Sequence, residues 1–139
     1  MRILVLNGPN LDMLGTREPE VYGTHTLDEL MAELTEYGLE HGVVIDVLTS
    51  NFEGELIEAL HHAGDMYDGV VFNPAAYTHY SIALRDAVAC CSVPVVEVHL
   101  TDIATREDFR ATSVIAEVCV AQFSGDGVES YKKGIDAIR

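Results

Sequence analysis

The chain has 139 residues, 48% of them hydrophobic, and a formal net charge of -15. That length suits one domain over residues 1–139 that buries roughly two thirds of its unfolded surface, and the charge excludes nucleic acid or an anionic membrane as a partner. The apolar runs fall well short of the roughly 20 residues of a membrane span, so a cytoplasmic chain without a leader is expected.

The first apolar run, Arg2 to Leu6, predicts a strand ending at Asn7-Gly8-Pro9-Asn10. An irregular stretch follows to about His25, and a loop of that length inside a compact domain is usually functional. Thr26 and Glu29 have the spacing of a capping box, and Leu27, Leu30, Met31 and Leu34 mark one helical face as far as His41-Gly42. Val43 to Leu48 predicts the second strand. Ser50 and Glu53 predict a second capping box, ahead of a helix carrying Leu56, Ile57 and Leu60. Gly69 to Phe72 is the third strand, and Asn73 to Thr78 turns into a helix from about His79 to Cys91. Val95 to Leu100 is the fourth strand. A polar loop with one short helical turn leads to a fifth, about Glu117 to Gln122, and Val128, Tyr131, Ile135 and Ile138 give a closing helix its apolar face.

Short valine-rich strands alternating with amphipathic helices predict an α/β, flavodoxin-like three-layer sandwich. Its parallel sheet of five strands takes the order 2-1-3-4-5. Ligands of such sheets sit beyond the carboxyl ends of the strands, where strand order reverses. Asn10, Arg17, Tyr22, Asn73, His79, His99, Arg106 and Arg110 should gather there.

Tyr22 shares its loop with Arg17, and a guanidinium beside a phenol favours the phenolate, so Tyr22 can serve as a proton acceptor. The plainer alternative is a packed tyrosine near a solvated arginine. Glu97 and His99 lie two apart on a strand, hence on one face. A carboxylate there orients the imidazole and holds its proton, whether for acid catalysis or for structure alone. Asn73 to Ser81 offers an amide, hydroxyls and an imidazole at a strand-to-helix turn that favours anions, or simply a turn with Thr78 as N-cap. Arg106 and Arg110, four apart, can hold a carboxylate or hydroxyl, or pair with Asp102, Glu107 and Asp108. His25, His41, His61 and His62 lack metal-binding spacing, so no metal is expected. Cys90, Cys91 and Cys119 form no C-x-x-C pair, which argues against a disulfide framework and suits a reducing compartment. Lys132 and Lys133, adjacent in the final helix, are poor candidates for a Schiff base.

The order and spacing of Asn7-Gly8-Pro9-Asn10-Leu11, Arg17-Glu18-Pro19, Tyr22-Gly23, Asn73 to His79, Ala83 to Ala87 and Glu97-Val98-His99-Leu100 resemble the type II 3-dehydroquinate dehydratase family over essentially the whole chain. The resemblance implies a lyase without cofactor or metal, working on 3-dehydroquinate in the shikimate pathway or in quinate breakdown. It also implies a homododecamer built of trimers. By position, Tyr22 becomes the base, Arg17 its activating cation, Asn10 the holder of a water against the enolate, and His99 with Glu97 the acid. Asn73 with the backbone of Leu100 and Thr101 would hold the substrate carboxylate. His79, Asp86 and Arg110 would take the ring hydroxyls, with Asp86 reaching from a neighbouring subunit and Arg106 in support. Two departures stand out. Thr101-Asp102 replaces the family's usual Ser-Asn, placing a negative charge near a carboxylate site unless Asp102 turns away or pairs with Arg106, and Ala111-Thr112 stands where a histidine is common. From a different class, a non-catalytic flavodoxin-like binding or signalling module would want an acidic pair or a phosphate loop after the first strand, where Asn7-Gly8-Pro9 stands.

Overall fold

The computed structural model of the chain describes residues 1–16, 20 and 24–139. Strands β1 (Arg2–Asn7), β2 (Val44–Thr49), β3 (Gly69–Asn73), β4 (Val95–His99) and β5 (Ala121–Ser124) pair in parallel in the order β2-β1-β3-β4-β5. Helices α1 (Leu27–Glu40) and α4 (Val128–Ile138) cover one face, while α2 (Glu53–His62) and α3 (Ile82–Cys90) cover the other. This is the expected flavodoxin-like sandwich.

Period-two alternation divides each central strand between the layers. Ile3, Val5, Val71, Val96 and Val98 pack with Leu34 and Ile135, whereas Leu4, Leu6, Val70, Phe72 and Val95 pack with Leu56, Leu60 and Leu84. Both faces are covered, so β1 and β3 read as apolar runs up to Asn7 and Asn73 at their ends, while β4 interrupts its valines with the buried Glu97 and His99. β2 is an edge strand and leaves Val44, Val47 and Leu48 exposed.

Among the described residues, side-chain caps start α1 and α3, whereas α2 and α4 begin without one. Thr26 caps α1 by accepting a hydrogen bond from the Glu29 N–H at 3.2 Å, one half of the predicted capping box, while the Glu29 carboxylate lies 3.1 Å from His25 Nδ1. The second predicted capping box does not form: Phe52 is the N-cap of α2, Ser50 Oγ donates to Glu55 at 2.9 Å, and Glu53 instead accepts from Ser81 Oγ at 2.5 Å. That bond ties α2 to the start of α3. The helix expected from His79 starts later, because residues 75–79 form a tight turn and Ser81, not Thr78, caps α3.

The fifth strand also shifts, from the expected 117–122 to Ala121–Ser124. Val118 and Cys119 tuck against the α2–α3 layer from a short turn over residues 116–118, leaving Val120 exposed and pairing to begin only at Ala121. The crossover between β4 and β5 carries three such turns rather than the single one expected.

Candidate active site

β1 pairs with β2 on one side and β3 on the other, and sheet order reverses at this point. Beyond the carboxyl ends of β1, β3 and β4 opens a cavity lined by Asn10, Asn73, His79, His99, Leu100, Thr101, Arg106 and Arg110, with Pro9, Leu11, Ala75, Ala76 and Ile103. Eight predicted residues therefore converge. The chain is strongly acidic overall, yet among the described residues this lining carries two arginines and two histidines and no acidic side chain. Arg17 and Tyr22 lie outside the described residues, and Asp86 is exposed on α3 and absent from the cavity wall.

The walls are fixed by hydrogen bonds. The Gly8 N–H donates to the Asn73 carbonyl at 2.8 Å, and a Cβ on Gly8 would lie 2.6 Å from the Pro74 oxygen, so only glycine lets the β1 and β3 loops approach so closely. Asn10 adopts a left-handed conformation with φ of 67°, and its N–H donates to Asn51 Oδ1 at 2.8 Å. Asn51 is itself held, because its amide donates to Asp12 at 3.3 Å and its carbonyl accepts from Tyr77 at 3.0 Å. The buried Tyr131 hydroxyl donates to Asn7 Oδ1 at 2.7 Å and accepts from Asn73 Nδ2 at 2.8 Å. Burial pushes the Tyr131 phenol well above its ordinary range, and it stays a neutral donor. Asn73 Oδ1 accepts from the Ala75 N–H at 3.0 Å, supporting Ala75 at a φ of 53°. One amide hydrogen of Asn73 is left for a ligand.

Glu97 and His99 share a face of β4, as their spacing predicts. His99 Nε2 lies 2.5 Å from Glu97 Oε2, and both side chains are buried. With Nε2 turned inward, Nδ1 is the other nitrogen available for exchange with a ligand. Burial works against an ionised Glu97, but hydrogen bonds from His99, Thr78 and Ser113 outweigh it and hold the carboxyl below its ordinary value. His79 donates from Nδ1 to the Thr112 carbonyl at 2.8 Å. Burial first, then the neighbouring His99 ring and the Arg110 guanidinium, lower its proton affinity, so it presents a neutral Nε2 acceptor suited to a hydroxyl.

The Asp102 carboxylate accepts from the Ala104 N–H at 3.0 Å and caps its own turn. It is absent from the cavity wall. Arg110 Nε lies 2.6 Å from Glu107 Oε2, but its N–H is not aligned on that oxygen and makes no hydrogen bond among the described residues; the contact is Coulombic. Arg85 donates to the Val114 carbonyl at 2.7 Å and fastens α3 to the β4–β5 crossover.

Three contributors were not singled out in the sequence: Ser113, Asn51 and Tyr131 as a site residue. Tyr131 is legible only as a core position, because its polar partner Asn7 is 124 residues away.

The family model of Dehydroquinase class II matches residues 1–139. The chain belongs to the class II dehydroquinase family. It is 51% identical over 138 residues to a 3-dehydroquinate dehydratase of Geotalea daltonii, covering 99% of this chain and 96% of that one. A 3-dehydroquinate dehydratase of Desulforudis audaxviator is 56% identical over 137 residues, covering 99% of this chain and 91% of its own. Among solved structures, the type II dehydroquinase of Butyrivibrio crossotus superposes with a TM-score of 0.96 at 41% identity, covering 99% of this chain and 97% of that one. For this dehydroquinase, the departures at Asp102 and Thr112 have defined places: one caps a turn, and the other anchors His79 through its carbonyl.

Proposed function

We propose that this dehydroquinase removes water from 3-dehydroquinate by anti elimination, giving 3-dehydroshikimate through an enolate, in the shikimate pathway or in quinate breakdown. The observation that carries the reading is the buried Glu97–His99 pair opening on a cavity lined by arginines in an otherwise acidic chain. The names of the relatives support the substrate.

Tyr22, activated by Arg17, takes the proton from the carbon alpha to the ketone, and the C–H electron pair moves into the enolate. Asn10 holds a water against the enolate oxygen and spreads its charge. The enolate then collapses and expels the tertiary hydroxyl. His99, oriented by Glu97, delivers a proton to that oxygen from Nδ1, so that water leaves. Asn73 and the backbone of Leu100 and Thr101 hold the carboxylate, His79 and Arg110 hold ring hydroxyls, and Arg106 adds positive potential.

Asp86 serves a site in a neighbouring copy within a homododecamer built of trimers. Exposed Phe52, Tyr80, Ile82 and Phe109 support burial against further copies. Residues 1–139 act as one catalytic domain in the cytoplasm.

The test is the ultraviolet absorbance of the conjugated enone formed when the purified chain meets 3-dehydroquinate. Enone formation without a borohydride-trapped adduct is the expected result. Absence of the band, or trapping at Lys132 or Lys133, overturns the reading.

A further inference from the structure

Glu97 is fully buried, and a carboxylate in such a place must be paid for with hydrogen bonds. Thr78 Oγ1 lies 2.5 Å from Oε2, while Ser113 Oγ lies 2.9 Å from Oε1 and 3.0 Å from Oε2. The two hydroxyls also lie 2.9 Å from each other, where either can donate, but each has one proton, and the buried carboxylate is the stronger acceptor within reach of both. Thr78 comes from the turn after β3 and Ser113 from the β4–β5 crossover, so two separate segments converge on one carboxylate. Neither residue lines the cavity; both act behind the acid.

We propose that Thr78 and Ser113 are positioning residues that set the acid strength of His99, by occupying the Glu97 oxygens with hydroxyl donors. This rests on the proposed role of His99 as the acid. A carboxylate with two hydroxyl donors already has its charge partly satisfied and pulls less strongly on the Nε2 proton of His99. With one donor gone, Glu97 binds the imidazolium more tightly, the ring holds its proton to higher pH, and it surrenders the Nδ1 proton to a departing oxygen more slowly. The other groups around the pair are His79, Arg106 and Arg110 on the cavity side and the Cys119 thiol behind it. Burial, then the Glu97 charge, push that thiol up to about 12, so it remains uncharged across the working range. Thr78 and Ser113 are therefore the uncharged donors through which Glu97 can be adjusted without adding charge to the cavity.

The test compares Thr78→Val with Thr78→Ser, and Ser113→Ala with Ser113→Thr, by pH profiles of kcat for 3-dehydroquinate and by nitrogen-15 signals of the His99 ring without substrate. Thr78→Val is expected to lose about tenfold in kcat, the scale of one hydrogen bond to a charged group. KM should stay within about twofold, since Thr78 does not touch the cavity. The alkaline limb of kcat and the pH at which the ring signals change should both move upward, and Thr78→Ser should restore them. Ser113 also accepts from the N–H groups of Ile115 and Ala116, at 3.1 and 3.0 Å, so Ser113→Ala should show the same displacement together with reduced stability.

Unchanged ring signals in folded Thr78→Val and Ser113→Ala would overturn the proposal. So would a loss of activity with the pH profile unmoved, or no recovery in Thr78→Ser. A wild-type chain that fails to dehydrate the substrate would instead refute the functional reading, while the ring signals would still decide whether the hydroxyls tune the pair.

Discussion

Replacing Tyr131 by phenylalanine removes one oxygen from the junction between core and cavity. The hydroxyl is buried; it donates to Asn7 at 2.7 Å and accepts from Asn73 at 2.8 Å. Phenylalanine fills nearly the same volume, so the cost is that of two stranded polar groups rather than a cavity. At about 1–3 kcal/mol for each buried group left unpaired, with some recovery by local movement, the expected loss is about 2–4 kcal/mol. For a domain of this size that lowers Tm by roughly 8–16 °C. Asn73 loses the bond that fixes its amide beneath the cavity, and kcat/KM should fall about tenfold, equivalent to roughly 1.4 kcal/mol of misplaced binding. Urea unfolding and enone-detected kinetics on the same preparation measure both effects. A stability change below about 0.5 kcal/mol with unchanged kcat/KM would refute the coupling of this network to the site.

Tyr22→Phe should remain folded and lose roughly 100-fold or more in kcat, the scale of general base catalysis, as steady-state assay will show. Gly8→Ala forces a methyl group to within 2.6 Å of the Pro74 oxygen and should raise KM and lower Tm together, because the loops that close the cavity must separate. Asp86→Ala should leave monomer stability within about 0.5 kcal/mol, as expected for an exposed side chain, yet reduce kcat/KM if it completes a neighbouring site. Equal amounts of Asp86→Ala and Tyr22→Phe protein, refolded together, should then regain activity. The folded Glu97 carboxyl is held below its ordinary 4.5, so its stabilisation is fully present above that pH and is lost as pH falls through the lower folded value. The stability advantage of wild type over Glu97→Gln should therefore shrink below about pH 4.5, as urea midpoints across pH will show.

The strands buried on both faces were the most legible part of the fold, because β1, β3 and β4 take apolar side chains at nearly every position before the polar residues that face the site, and they leave short valine-rich runs. Thr26 was readable as a cap because its partner lies three residues on. Ser50 and Glu53 carry the same local pattern but are claimed by tertiary partners, Glu55 and Ser81, which no spacing rule can anticipate. Burial of Val118 and Cys119 in a turn likewise delayed β5, since an apolar residue signals burial without stating the backbone geometry that achieves it.

Within the site, Glu97 and His99 were legible because strand period links them directly. Thr78 and Ser113 reach the same carboxylate from 19 and 16 residues away, and Ser113 carries no local signal of its role. Asp86 shows the opposite limit: its sequence context matches the family, while its side chain lies on the exposed surface of α3 and away from this chain's own cavity.

Turnover of 3-dehydroquinate by His99→Gln, followed at the enone band, tests most directly whether an imidazole proton drives water loss. Glutamine retains an amide N–H for Glu97 to accept from but has no proton acidic enough to transfer. At least a roughly 100-fold fall in kcat, with circular dichroism and Tm near those of the parent, is the predicted result. A folded variant turning over within about threefold of wild type would contradict the assignment of His99 as the acid.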